Sequence, residues 1–131
     1  MYLLCDGDWD NPEIEISDSS DNLVKLGTIL NGLDKSLEIK ASYQESEFYP
    51  YCLGNLVLNL MVKGDDLLTV KIAERHLILS GTLKAFNKIG QSLINFFEDD
   101  VKEGEHFHLD YSDGNTVPAQ TNCHLIFMCS G

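Results

Sequence analysis

The run Glu105-His-Phe-His-Leu-Asp-Tyr111 is where the chain comes nearest to a chemical pattern. On a strand, residues two apart share a face. Phe107, Leu109 and Tyr111 would then point to the core, and His106, His108 and Asp110 would line the opposite face. Two imidazoles and a carboxylate in one row are metal-ligand types. Same-face neighbours on a strand lie roughly 6.5–7 Å apart, so two histidines there can chelate. A metal site usually draws a third ligand from another element, and none can be identified; His76 and His124 qualify by residue type alone. The plainer reading, and the one we expect, is a polar row on an open sheet face, available to a partner. A small metal-binding protein or metal-dependent enzyme built on His106, His108 and Asp110 is the alternative.

Other chemistry is hard to find. The chain has no Gly-x-Ser-x-Gly, no His-Glu-x-x-His, no P-loop and no Gly-x-Gly-x-x-Gly. Gly64-Asp65-Asp66 reads as a hairpin turn rather than a metal motif. No nucleophile and base can be paired from Cys5, Cys52, His76 and His124. We therefore expect no enzyme, no catalytic residues and no cofactor. The four cysteines, Cys5, Cys52, Cys123 and Cys129, form no Cys-x-x-Cys and match no zinc spacing. In a reducing compartment they read as buried thiols.

Charge is the unusual quantity. Nine Lys and Arg face 21 Asp and Glu, a net −12 with His neutral. Such a surface repels phosphate backbones and anionic head groups, which disfavours nucleic acid and membrane as partners. It attracts a basic partner and speeds the encounter. The acids are also clustered: Asp6, Asp8, Asp10, Glu13, Glu15, Asp18 and Asp21 all precede the first lysine, Lys25. Trp9 sits between Asp8 and Asp10, and Tyr49 and Tyr51 flank Pro50. Aromatics among acids are the residue types of an interface anchor surrounded by steering charge, although for Trp9 a cap on the core is the first reading and a partner anchor the second. The expected partner-binding set is Asp8, Trp9, Asp10, Glu13, Glu15, His106, His108 and Asp110.

These residues need elements to position them. A length of 131 residues suits one domain. Short strands are expected at Tyr2–Cys5 and Glu13–Ile16. Ser17 to Asn22 offers N-caps, and Leu23, Leu26, Ile29, Leu30 and Leu33 recur at helical spacing. An alternating strand, Leu37 to Tyr43, follows with Tyr43 on its apolar side, and then one long strand from Leu53 to Val62. Leu67–Ala73 and His76–Ser80 form a hairpin around Glu74-Arg75. Gly81-Thr82 opens a second helix with apolar positions Leu83, Phe86, Ile89, Leu93, Phe96 and Phe97. Strands at Glu105–Tyr111 and Cys123–Cys129 close the chain. No stretch approaches the roughly 20 apolar residues of a membrane helix, and the start has no basic signal region, so the cytoplasm is the expected location.

The two helices belong to a repeat. Ile14-Glu-Ile-Ser17 matches Leu77-Ile-Leu-Ser80, and Leu26-Gly27 matches Ile89-Gly90, both at an offset of about 63 positions. Leu23, Leu30 and Leu33 pair with Phe86, Leu93 and Phe96. Each half, about 1–64 and 65–131, reads β-β-α-β-β. The expected fold is α+β in two layers: one curved, mostly antiparallel sheet of about eight strands with both helices on one face. The other face would be open and half polar.

The late Glu-His-x-His-Leu-Asp-Tyr strand, from Gly104 to Tyr111, and the apolar final strand, Cys123 to Met128, resemble bacterial polymorphic-toxin immunity proteins, with weaker similarity over the Leu23–Leu33 helix. Among these families the chain is similar to immunity protein family thirty-two. The resemblance covers under a third of the chain. It implies a protein that binds and neutralises a cognate toxin, with no catalytic residues and with importance for His106, His108 and Asp110. Many such toxins are nucleases with basic clefts, which an acidic inhibitor could fill or block. Self-association through an exposed sheet edge or face remains open.

Overall fold

Two strands run straight into helices, and a hydroxyl marks both switches. Ser19 Oγ accepts the Asn22 N–H at 3.2 Å, and Thr82 Oγ1 accepts the Ala85 N–H at 3.3 Å. Each satisfies a helix donor that would otherwise have no partner. The computed structural model describes residues 1–7, 12–43, 49–63, 68–99, 101–109 and 124–130. In chain order the elements are β1 (Tyr2–Cys5), β2 (Glu13–Asp18), α1 (Ser20–Asn31), β3 (Leu37–Lys40), β4 (Tyr51–Leu53), β5 (Asn55–Met61), β6 (Thr69–Ala73), β7 (His76–Thr82), α2 (Leu83–Phe97), β8 (His106–Leu109) and β9 (His124–Cys129). The class is α+β.

The strands form two sheets rather than one, and nine strands are described rather than about eight. Sheet A has the order β4-β1-β2-β9-β8, and sheet B the order β3-β5-β7-β6. Most neighbours are antiparallel, but each sheet has a parallel pair at its centre: β2 with β9 and β5 with β7. A parallel pair cannot be closed by a tight turn. Here the two halves exchange strands. The β1-β2 hairpin of the first half pairs with β8-β9 of the second, and the β6-β7 hairpin of the second pairs with β3 and β5 of the first. The registers agree with the repeat. Glu13 faces His124 where one parallel pair begins, and His76 faces Asn55 where the other begins; Glu13 and His76 are equivalent under the offset of about 63. The ninth strand, β4, has no counterpart among the described residues of the second half.

Strand alternation sorts each sheet into two faces. Leu3, Ile14, Ile16, Leu125 and Phe127 point inward from sheet A, and Leu56, Leu58, Leu77 and Leu79 from sheet B. They meet Leu23, Leu30, Phe86 and Leu93 of the helices in one hydrophobic cluster. The close helix crossing is set by Gly27 and Gly90: a Cβ on Gly27 would lie 2.8 Å from the Gly90 carbonyl oxygen.

Several local expectations are corrected. The strand after α1 stops at Lys40; Ser42 makes only an isolated bridge to Tyr2, and Tyr43 is 70% exposed instead of inward. The long strand from Leu53 to Val62 is broken at Gly54, whose N–H donates to the Arg75 carbonyl at 2.7 Å, and Val62 is 97% exposed. Ile29 and Phe96 lie at the exposed edges of their helical stripes, while Phe97 points inward. The Glu74-Arg75 turn is as expected, with φ of 53° and 77°, the left-handed pair that a two-residue hairpin demands. Cys5 and Cys129 are buried, and Cys52 is partly exposed. Cys123 and the Gly64-Asp65-Asp66 turn lie outside the described residues.

Candidate interaction face

The outward side of sheet A brings together residues that are far apart in sequence. On β2, Ile14 and Ile16 enter the core, so Glu13 and Glu15 face out. On β8, Leu109 is buried and Phe107 packs on the core, so His106 and His108 face out, both exposed. Between these strands runs β9, whose outward residues are His124, Ile126 and Met128. The cross-strand registers make one transverse row: Leu4 opposite Glu15, Glu15 opposite Ile126, and Ile126 opposite His108. A second row places Glu13 opposite His124. The acidic strand and the histidine strand, read separately from the sequence, thus share a single face. Asp8, Trp9, Asp10 and Asp110 lie outside the described residues.

The electrostatics of this face follow from its partial closure. Burial pushes the Glu15 carboxyl above its ordinary range, Glu13 pushes it further, and His106 pulls it partly back. Tyr49 stands against the same strand. Burial, the charges of Glu13 and Glu15, a hydrogen bond to Glu13, and the charge of Asp6 raise its phenol to about 12. The face is therefore not open throughout, as alternation alone suggested. Leu4 and Ile126 lie on the outward side yet are only 4% and 6% exposed, and Ser17 is buried as well. The aliphatic centre of this side is thus covered, and the charged and imidazole groups lie around it.

His106 and His108 sit edge to face, with ring centroids 4.7 Å apart. The His106 ring Nδ1 also lies 3.1 Å from the Gly104 carbonyl. A nitrogen held that way turns its ring by a backbone bond. Among the described residues, no group of three or more His, Cys, Asp or Glu converges as metal ligands would. His124, a ligand candidate by type only, does lie on the histidine face; His76 belongs to sheet B, where it contacts the Asn55 amide at 3.2 Å. The signal for His124 was available in the alternation of His124, Ile126 and Met128 against Leu125 and Phe127.

Sheet B gives an internal comparison. Its outward positions include Glu38 and Lys40 on β3, Asn55, Val57 and Asn59 on β5, His76, Ile78 and Ser80 on β7, and Thr69, Lys71 and Ala73 on β6. The row matching Leu4-Glu15-Ile126-His108 reads Lys71-Ile78-Val57-Glu38. Sheet B thus carries charges of both signs outward, whereas the described outward strand positions of sheet A include two carboxylates and no Lys or Arg.

No family model, no curated protein and no solved structure matches the chain. None of the described helices is long and apolar enough to cross a membrane.

Proposed function

We propose that the protein is a binding inhibitor of a basic protein: an immunity protein that neutralises a cognate bacterial toxin domain by steric and electrostatic blocking. The observation that carries this reading is the difference between two equivalent faces. Duplication supplies two outward sheet surfaces with the same backbone pattern. One gathers Glu13, Glu15, His106 and His108 with no Lys or Arg at its described outward strand positions, and the other mixes Lys with Glu. If negative charge served solubility alone, both faces would serve equally. Concentrated on one face, it suits a cationic surface.

Inhibition of this kind needs no reacting atoms. The carboxylates take the places that phosphates occupy in a basic cleft, or cover its entrance. Long-range attraction raises the encounter rate, and screening by salt lowers it. Glu15, held above its ordinary pKa by burial, gains from a cation brought close, because that charge favours its ionised form.

The test is co-expression. The toxin to use is a basic C-terminal domain, should a neighbouring gene encode one. Growth should be restored by the wild-type chain and lost with the double variant Glu13→Lys, Glu15→Lys. Absence of any rescue, or rescue that survives the charge reversal undiminished, would remove the reading.

The second reading, a metal site on the His-x-His-x-Asp strand, has one observation in its favour: the closeness of the His106 and His108 rings, with His124 on the same face. Metal analysis of the purified protein decides it. Bound zinc, nickel, iron or manganese, or a thermal shift on adding one, would favour it over the inhibitor.

A further inference from the structure

Neither half of the chain completes a sheet by itself. The strands up to Met61 supply β4-β1-β2 to sheet A and β3-β5 to sheet B, and those from Thr69 onward supply β9-β8 and β7-β6. The seams between the halves are the parallel pairs at the two sheet centres, β2 with β9 and β5 with β7. Ile16 stands opposite Phe127 on one seam and Leu58 opposite Leu79 on the other. All four are at most 2% exposed. The close approach of Gly27 to Gly90 is a third contact between the halves, and the hydrophobic cluster draws on both. Main-chain bonds cross as well: the Gly54 N–H donates to the Arg75 carbonyl, the His124 N–H to the Pro12 carbonyl and the Ser130 N–H to the Asp18 carbonyl. Separated from the first half, the second would keep two pieces of two strands each, which are marginal in water.

A single stretch of chain, 62–68, links β5 to β6 and so joins the halves. Met61 faces Thr82 and Thr69 faces Ser80, so the link begins and ends on opposite sides of β7, at the same end of sheet B. Two strand spacings make about 10 Å. A link of this length reaches roughly 25 Å when extended, so it closes without strain. The halves are held together by their own surfaces, and the link sets only how concentrated each is around the other.

We propose that these seams are an assembly interface that also accepts a second copy of this chain. The first half of one copy pairs with the second half of the other, and reciprocally, giving a dimer of two complete lobes. Each lobe rebuilds both parallel pairs and the glycine crossing, so the packing is retained and only the course of the link differs. No outer edge or face of either sheet is used. A short link holds the halves at an effective concentration in the millimolar range, so exchange competes near about 1 mM and is negligible near about 1 µM. Once formed, the dimer persists on dilution, because reverting means opening both seams, which amounts to unfolding. The inference is independent of the inhibitor reading, since each lobe carries its own complete sheet A.

The test uses the full ¹⁵N-labelled chain with its thiols kept reduced. It is unfolded in urea, refolded at about 1 mM and, separately, at about 1 µM, and both samples are brought to the same low concentration for sedimentation. A dimer should be present only in the sample refolded at high concentration, should survive the dilution, and should return to monomer after a second unfolding and dilute refolding. Its amide spectrum should superimpose on that of the monomer except around residues 61–69. Monomer alone in both samples would overturn the proposal. So would a dimer that falls apart on dilution, or one whose amide shifts run along an edge strand or across a sheet face, because either would give self-association to an outer surface.

Discussion

Gly27 and Gly90 face each other where α1 crosses α2, and each carbonyl occupies space that the other residue's Cβ would need. The two positions are equivalent under the sequence offset of about 63. A Cβ on Gly27 would meet the Gly90 oxygen at 2.8 Å and Leu93 Cβ at 3.1 Å; one on Gly90 would run into the Gly27 carbonyl and the Asn31 N–H. Backbone, unlike a side-chain tip, cannot turn away. Alanine raises helix propensity by about 1 kcal/mol, but forcing the helices apart opposes it by roughly 1–3 kcal/mol. Both Gly→Ala variants should be destabilised in urea titrations, with Gly90→Ala the worse. A stabilised Gly90→Ala would mean that the helices do not cross this closely.

Glu15 should make stability pH-dependent in a defined direction. Its folded pKa is raised, first by burial and then by Glu13. A raised pKa favours the protonated form in the fold, so the stability it contributes is present below the unfolded value near 4.5 and is lost as pH rises through the folded value. Glu15→Gln should therefore be more stable than wild type at about pH 7 and show no such advantage near pH 4. Equal stabilities across that range would show that Glu15 is not held in a desolvating position.

Tyr49 offers a spectroscopic check on the same face. The chain has five tyrosines, and the Tyr49 phenol is raised to about 12, chiefly by burial and by Glu13 and Glu15. Alkaline absorbance titration should show one phenol ionising well after the others, or only on unfolding. Tyr49→Phe should remove that late step. If the late step survives the substitution, Tyr49 does not lie against β2.

The two helix caps should be interchangeable in effect. Ser19→Ala and Thr82→Ala each remove one hydroxyl acceptor from a first-turn N–H, and each should cost about 1 kcal/mol in chemical denaturation. The Asp18 carboxyl adds a difference between the halves. Burial alone would raise its pKa, but hydrogen bonds from the Asn22 side chain and the Ser19 N–H, with the hydrogen bond and charge of the terminal ammonium, outweigh that and lower it. Its contribution should be present above the ordinary value of 3.8 and lost as pH falls through the lowered one. Asp18→Asn should thus differ from wild type least in strong acid.

Much of the fold is legible in the residues because local patterns and tertiary packing agree. The Leu26-Gly27 and Ile89-Gly90 match foretells the helix crossing, and the alternation around His106 and His108 foretells which face they take. What local pattern cannot carry is partner choice between strands. Nothing in Glu13–Asp18 says that it pairs in parallel with His124–Cys129, because that pairing depends on the other half of the chain. Gly54 was hidden inside an apolar run, since a bend needs only one residue and leaves the hydrophobic count intact. The union of Glu15 with His106 and His108 follows from that unforeseen β2-β9 pairing.

The most direct test of the inhibitor account is the rate at which the chain captures its basic target, measured by stopped flow at low and at physiological salt for wild type, the Glu13→Gln, Glu15→Gln variant, and Glu38→Gln on the equivalent face. The account predicts fast capture that slows with salt, a slower rate and shallower salt dependence in the sheet A variant, and little change in the sheet B variant. Equal effects from the two faces, or a wild-type rate indifferent to salt, would contradict it.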